Sequence, residues 1–468
     1  MNWSITDTSD VSFPPDFLWG SSTSNFQDSG MRCGTSNWSD WIITENLQPI
    51  GNSTDHWNLY PEDFKKMREM GLNSFRFSIE WSAIEPNEGE WNNSAIQHYH
   101  NYINQLLKEQ ITPMVTMHHF THPHWFEDKG AFEHRENIEY FARYCDKIFT
   151  EFSDKVNLWC TINEPTIYVL QGYLRGVAPP GKCDMRLAGK VLLNLCQAHI
   201  TVYRLLHIHN PHNAQIGLTH QHLIFQSPRD NCIGTRLCNY LSEVCTTTFL
   251  NFLCTGHFEF TSYPVMNIFF GGTRYAKSFR WLKPSFPKYT LSWDSDRIPT
   301  RDLDFIGLNY YSRVLIDVLK PWKIPFFQPN DIPTDMPYAL YPEGLAEAIH
   351  AVSQLRRPIY ITESGIADID DSRRELYFKR YLYILSQALQ DGYDVRGYFY
   401  WSLLDNYEWD LGFRMRFGLM SIDYDTKHRS ICPSTQYLQR VIRAKSNHTV
   451  LPESSDSESL SGNSLTKV

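Results

Sequence analysis

Eight short apolar runs, rich in β-branched and aromatic residues, recur along the chain, and most are separated by longer stretches of helical period. The runs expected as strands are Phe17 to Ser21, Ser74 to Ile79, Pro113 to His118, Asn157 to Ile162, Gln215 to His220, Asp304 to Asn309, Pro358 to Thr362 and Arg396 to Ser402. Helical period is expected near 61–70, 95–109, 135–152, 187–209, 342–355, 371–390 and 434–444. Parallel strands need such crossovers, and eight of them close naturally into a (β/α)8 TIM barrel, an α/β fold. One domain over 1–445 therefore accounts for the chain. The gaps Ser22 to Asn73 and Gln221 to Leu303 are expected as long loops over one rim. Residues 446–468 hold seven serines with little apolar periodicity, the composition of a disordered tail.

A net charge of −9 without a basic cluster argues against a nucleic-acid partner. No basic segment followed by an apolar core opens the chain, and nowhere do about 18 apolar residues run together, so no membrane partner and a cytoplasmic location are expected. Ten cysteines without CxxC spacing read as reduced thiols. Aromatics make up 15% of the residues, enough both to fill a core and to offer flat faces to sugars.

In such a barrel, chemistry sits where strands end at the carboxyl rim. Strand four ends in Asn163-Glu164-Pro165 and strand seven in Glu363-Ser364-Gly365, so each brings one carboxylate to the rim. Strand three ends at His118-His119-Phe120, strand six at Asn309-Tyr310-Tyr311 and strand eight at Trp401-Ser402, followed by Asp405-Asn406-Tyr407-Glu408-Trp409. Paired rim carboxylates among Trp, Tyr, Asn, Gln and His suit glycoside hydrolysis: one protonates the leaving oxygen and the other attacks the anomeric carbon. The acid must stay protonated near neutrality and the nucleophile ionised, for which Arg76 at the end of strand two is a candidate partner. The run His118 to His124 holds four imidazoles, but Pro123 interrupts any shared helical face and no downstream His-x-x-His accompanies it; neither metal nor cofactor is expected.

These motifs, with Phe13-Pro14, Phe17-Leu18-Trp19-Gly20 continuing to Gln27, Phe75 to Ser82, and Arg416-Phe417-Gly418-Leu419, resemble glycoside hydrolase family 1, the retaining β-glycosidases, over roughly residues 13 to 443. The resemblance implies Glu164 as general acid/base and Glu363 as nucleophile, with the two carboxyls about 5 to 5.5 Å apart. It implies that Asn163 binds the 2-hydroxyl, that Gln27, His119, Glu408 and Trp409 hold the other hydroxyls, and that Trp401 forms an apolar floor. Tyr311 would bond the nucleophile, helped by Arg76; Asn309 belongs to the same rim set, and Tyr338 and Phe417 would be pocket walls. A carboxylate at Glu408 implies unphosphorylated sugars. The chain departs from the family pattern at Ser29, Phe120, Tyr338, Ser364 and Cys432. The expected activity is that of an exo-β-glycosidase removing a β-glucosyl, β-galactosyl or related unit from small glycosides, with the choice of sugar left open; a catalytically weak sugar-binding or protein-binding relative on the same barrel is the alternative.

Overall fold

The computed structural model describes residues 1, 3, 6–8, 11–210, 212–229, 232–262, 289–317 and 327–446. Strands β1 (Leu18–Ser22), β2 (Ser74–Ser78), β3 (Thr112–His118), β4 (Leu158–Asn163), β5 (Gln215–Gln221), β6 (Ile306–Asn309), β7 (Ile359–Ser364) and β8 (Val395–Trp401) close a parallel barrel. Each lies within two residues of its expected bounds. β1 closes the ring, with Ser22 opposite Arg76 of β2 on one side and Trp401 of β8 on the other.

Around the strands run α1 (His56–Glu69), α2 (Asn93–Lys108), α3 (Ile138–Phe152), α4 (Met185–Ile208), α5 (Cys232–Ser242), α6 (Thr248–Thr255), α7 (Glu343–Ser353), α8 (Arg374–Gln390) and α9 (Thr435–Ser446). Their buried stripes follow from helical spacing. In α3, Ile138, Phe141, Ala142, Cys145, Ile148, Phe149 and Phe152 recur every three or four residues and face the barrel. Among the described residues no helix is long and apolar enough to cross a membrane.

Three expectations need correction or fall away. The stretch after β5 is more than a rim loop: it holds α5, α6 and an antiparallel hairpin of His257–Ser262 with Tyr289–Asp294. A π-helical turn at Glu243–Thr247 separates the two helices, so their apolar positions fall out of a single 3.6-residue phase. The first long helix starts at His56, before Pro61, because buried His56 is held by Asp63 at 2.7 Å and by the Tyr102 hydroxyl at 2.7 Å. The serine-rich tail lies outside the described residues, apart from Ser446, which ends α9.

Met114, Leu158, Cys160, Phe305, Tyr360 and Phe399 form one buried cluster inside the barrel, with Leu18 packed against it. They come from the starts and middles of six strands or their approaches, so they fill the amino end of the barrel and leave the carboxyl end for polar groups. Gly20 makes room for this plug: a Cβ there would lie 2.4 Å from the Phe399 ring.

Candidate active site

The strands that carry the two glutamates are both irregular where they reach the rim. β4 shifts register against β5 between Cys160 and Asn163, and β7 shifts against β6 between Ile361 and Glu363 and against β8 between Ile361 and Ser364. Such bulges re-aim side chains. Glu164 then adopts φ 47 and ψ 61, a left-handed conformation that costs a non-glycine residue of order 1 kcal/mol and recurs at functional positions. Phe120 (φ 67) and Trp409 (φ 45) share this property on the same rim. At β7 the bend depends on Gly365, where a Cβ would lie 1.9 Å from the Trp401 carbonyl oxygen.

Both carboxyls are almost wholly buried, Glu164 at 4% and Glu363 at 3% exposure, and one hydrogen-bonded bridge joins them. Arg76, fully buried, donates through Nη1 to Glu363 Oε1 at 2.5 Å and through Nη2 to Asn163 Oδ1 at 2.6 Å. Asn309 Nδ2 donates to the same Asn163 oxygen at 3.3 Å and to Glu164 Oε1 at 2.6 Å. The Thr362 hydroxyl donates to Asn309 Oδ1 at 2.7 Å, which fixes the amide with its nitrogen toward Glu164. Tyr311 donates to Glu363 Oε2 at 2.7 Å. Glu363 thus sits among donors, one of them a cation.

Glu164 has different surroundings. Burial first, and then the charge of Glu363, push its carboxyl well above the usual range, against the opposing effects of Asn309 and Arg76. A carboxyl so placed holds its proton to higher pH than an ordinary glutamate does, as suits a proton donor.

His119 lies between the two groups, with Nε2 3.3 Å from Asn163 Nδ2 and 4.0 Å from Glu363 Oε1. Because Asn163 presents its NH2, Nε2 must accept and Nδ1 carries the proton. Burial, with Arg76 nearby, keeps the ring neutral. Its plane stacks at 5.9 Å on Trp401 and 6.3 Å on Trp409, while Phe120 meets Trp409 edge-on at 5.5 Å. Trp38 packs on Trp409 at 4.5 Å. Trp401 is buried with Phe417 and Ala367, and Tyr311 packs edge-on to Phe417 at 6.2 Å. Half-buried Tyr338 lies close enough to Glu408 to feel its charge.

Gln27 Nε2 donates to the Tyr407 carbonyl at 2.9 Å. Its Oε1, together with His119 Nδ1 and Glu408 Oε2, is buried without a hydrogen-bond partner among the described residues. Other buried atoms are orphaned too, but these three lie with the rim glutamates, where a polar ligand would satisfy them. Glu408 is pushed up to about 8, chiefly by burial and further by Glu363 and Asp410, against a hydrogen bond from Trp401. The polar positions named from the sequence are therefore linked by contacts at the carboxyl end of the barrel.

The other histidines of the 118–124 run have separate partners: His118 meets His122 at 3.3 Å, His122 meets Glu127 at 2.7 Å and His124 meets Asp40 at 2.5 Å. Among the described residues no group of three or more His, Cys, Asp or Glu converges as a metal site would. One residue escaped sequence reasoning. Gln221, the last of β5, has its carboxamide 3.2 Å from both Glu164 oxygens. Its signal was its position at a strand end, without any motif around it.

A family model described as glycosyl hydrolase family 1 matches residues 9–447. The beta-glucosidase A of Acetivibrio thermocellus is 31% identical over 463 residues, covering 93% of this chain and 99% of that relative. The 1,4-beta-D-glucan glucohydrolase of Thermotoga neapolitana is 30% identical, covering 92% and 98%. Among solved structures, a beta-glycosidase from Pyrococcus horikoshii matches with a TM-score of 0.78 at 33% identity, covering 93% of this chain and 96% of its own.

Proposed function

The chain belongs to glycosyl hydrolase family 1 and is an O-glycosyl hydrolase, and from that premise we propose that it is a retaining exo-β-glycosidase of small, unphosphorylated glycosides. One observation carries the reading: two buried glutamates share a hydrogen-bonded bridge yet have opposite surroundings, Glu363 among donors and Glu164 in a setting that keeps its proton. Glu363 attacks the anomeric carbon as Glu164 protonates the departing oxygen, which leaves a glycosyl group bonded to Glu363. Glu164, now ionised, takes a proton from water, whose oxygen displaces Glu363 from the same carbon. Two displacements retain configuration.

Asn163 is held by Arg76 and Asn309 beside this centre and suits the 2-hydroxyl, whose hydrogen bond strengthens in the transition state. The orphaned atoms of Gln27, His119 and Glu408 suit the remaining hydroxyls, with Trp409 beside them and Trp401 under the sugar's C–H face. Glu408 adds a carboxyl beside Glu363 and Asp410, which disfavours a phosphorylated sugar. Phe120, edge-on to Trp409, and Phe417, edge-on to Tyr311, wall the sugar site, with Tyr338 beside Glu408. The free thiols, most of them buried, suit a reducing compartment such as the cytoplasm.

A screen of aryl β-glycosides that differ in the sugar tests this, with the anomer of the first-formed product followed by NMR. Turnover with a β-product, lost in Glu363→Ala, is expected. An α-product from a β-substrate contradicts the mechanism, and sugar binding without turnover favours a non-catalytic relative.

A further inference from the structure

The acid/base carboxyl must serve two opposite states in one cycle, a proton donor first and a proton acceptor second, and its neighbours set how well it serves each. Asn309 reaches one of its oxygens. Gln221 reaches both. The side-chain period of β5 explains how. The Thr219 hydroxyl faces the barrel interior, where it accepts from Arg76 Nη2 at 3.3 Å, and His220 points outward to stack on Phe249 at 5.3 Å. Gln221 therefore points inward again, one step nearer the mouth. Its backbone is opposite Asn309 in the β5–β6 register, and the Glu164 amide donates to the Thr219 carbonyl at 2.9 Å, so the Glu164 side chain lies between two carboxamides from neighbouring strands. The Gln221 orientation that satisfies both ends of its amide turns the NH2 toward Glu164, 3.2 Å from Oε1 and 3.2 Å from Oε2.

We propose that Gln221 is a positioning residue for Glu164, donating to both carboxylate oxygens and so supporting the ionised form that activates water in the second displacement. The proposal rests on the reading of Glu164 as the acid/base. In that step a water proton moves to Glu164, the water oxygen bonds to the anomeric carbon, and the bond to Glu363 breaks with its electron pair returning to that carboxylate. A donor that favours ionised Glu164 helps this half-reaction. It does little for the first displacement when the leaving group departs without protonation.

The test uses the full-length protein, with Gln221→Leu and, should leucine disturb folding by circular dichroism, Gln221→Met, which keeps the length of the side chain. On whichever dinitrophenyl β-glycoside the protein turns over, kcat is expected to fall about tenfold, the cost of one hydrogen bond to a charged group, with kcat/KM changed by less than about twofold. On the corresponding phenyl glycoside the alkaline limb of kcat/KM is expected to move up by about one pH unit, since the lost donor favoured the ionised form. An unchanged kcat, or equal falls in kcat and kcat/KM, overturns the proposal. Glu164→Gln is the control. Its kcat on the dinitrophenyl substrate must collapse and be restored by azide; if it does not, the acid/base assignment itself fails. A control that behaves as expected beside silent Gln221 variants removes Gln221 alone.

Discussion

Replacing Glu408 by glutamine keeps the shape of the side chain and removes its titration, and the structure sets the size of the effect. Burial pushes the folded carboxyl up to about 8 from the ordinary 4.5 of the unfolded chain, so between these values the folded state binds more protons and stability falls as pH rises. At about 1.4 kcal/mol per pH unit, full burial would cost about 4–5 kcal/mol at pH 8; partial contact with solvent reduces this to about 2–3 kcal/mol. An unfolding entropy of about 2 cal/mol/K per residue over 468 residues makes 1 kcal/mol worth about 1 °C. Glu408→Gln is therefore expected to raise the melting temperature by about 2–3 °C at pH 8 and by less than about 1 °C at pH 5. Differential scanning fluorimetry across this range, at one scan rate for both proteins, measures the difference. Parallel curves for the two proteins would refute the placing of a destabilising charge at Glu408.

Three further outcomes follow from the same contacts. Tyr311→Phe removes a charge-assisted hydrogen bond to Glu363 and is expected to lower kcat/KM on aryl glycosides about 10- to 100-fold with the fold intact by circular dichroism. Ser364→Ala removes one of two partners of the buried Tyr377 hydroxyl, which keeps the Tyr398 hydroxyl at 2.9 Å, and a loss of about 0.5–1.5 kcal/mol in urea denaturation is expected, whereas Ser364→Thr should lose less. Gly365→Ala drives a methyl group into the Trp401 carbonyl, so soluble protein, if obtained, should have lost most of its turnover; wild-type activity would contradict the close approach of β7 and β8.

What the sequence disclosed follows a physical divide. β4 and β7 were legible because a strand buried on both faces is largely apolar and turns polar near the rim, where Asn163-Glu164 and Glu363 stand, whereas Arg76, expected at the end of β2, is its middle residue. α6 was not legible: eight residues with Phe249, Leu250, Phe252 and Leu253 buried are too few to establish a period after a π-helical turn. The start of α1 was missed because Pro61 mimics a first-turn proline while the determinants of His56, Asp63 and Tyr102, come from later in the chain. Gln27, His119 and Trp409 could be named by position, but their convergence depends on contacts such as Trp38 on Trp409 that span hundreds of residues. Gln221 carries no local signature, since its relation to Glu164 exists only once β4 and β5 lie side by side.

The plug of Met114, Leu158, Cys160, Phe305, Tyr360 and Phe399 closes the amino end of the barrel, so a ligand of the rim residues arrives from the carboxyl side. Whatever enters must back out through the same doorway, so the detached leaving group has to clear the passage before water can follow it in. On the proposed function, released sugar and fresh substrate would share that one approach and compete for the same rim residues.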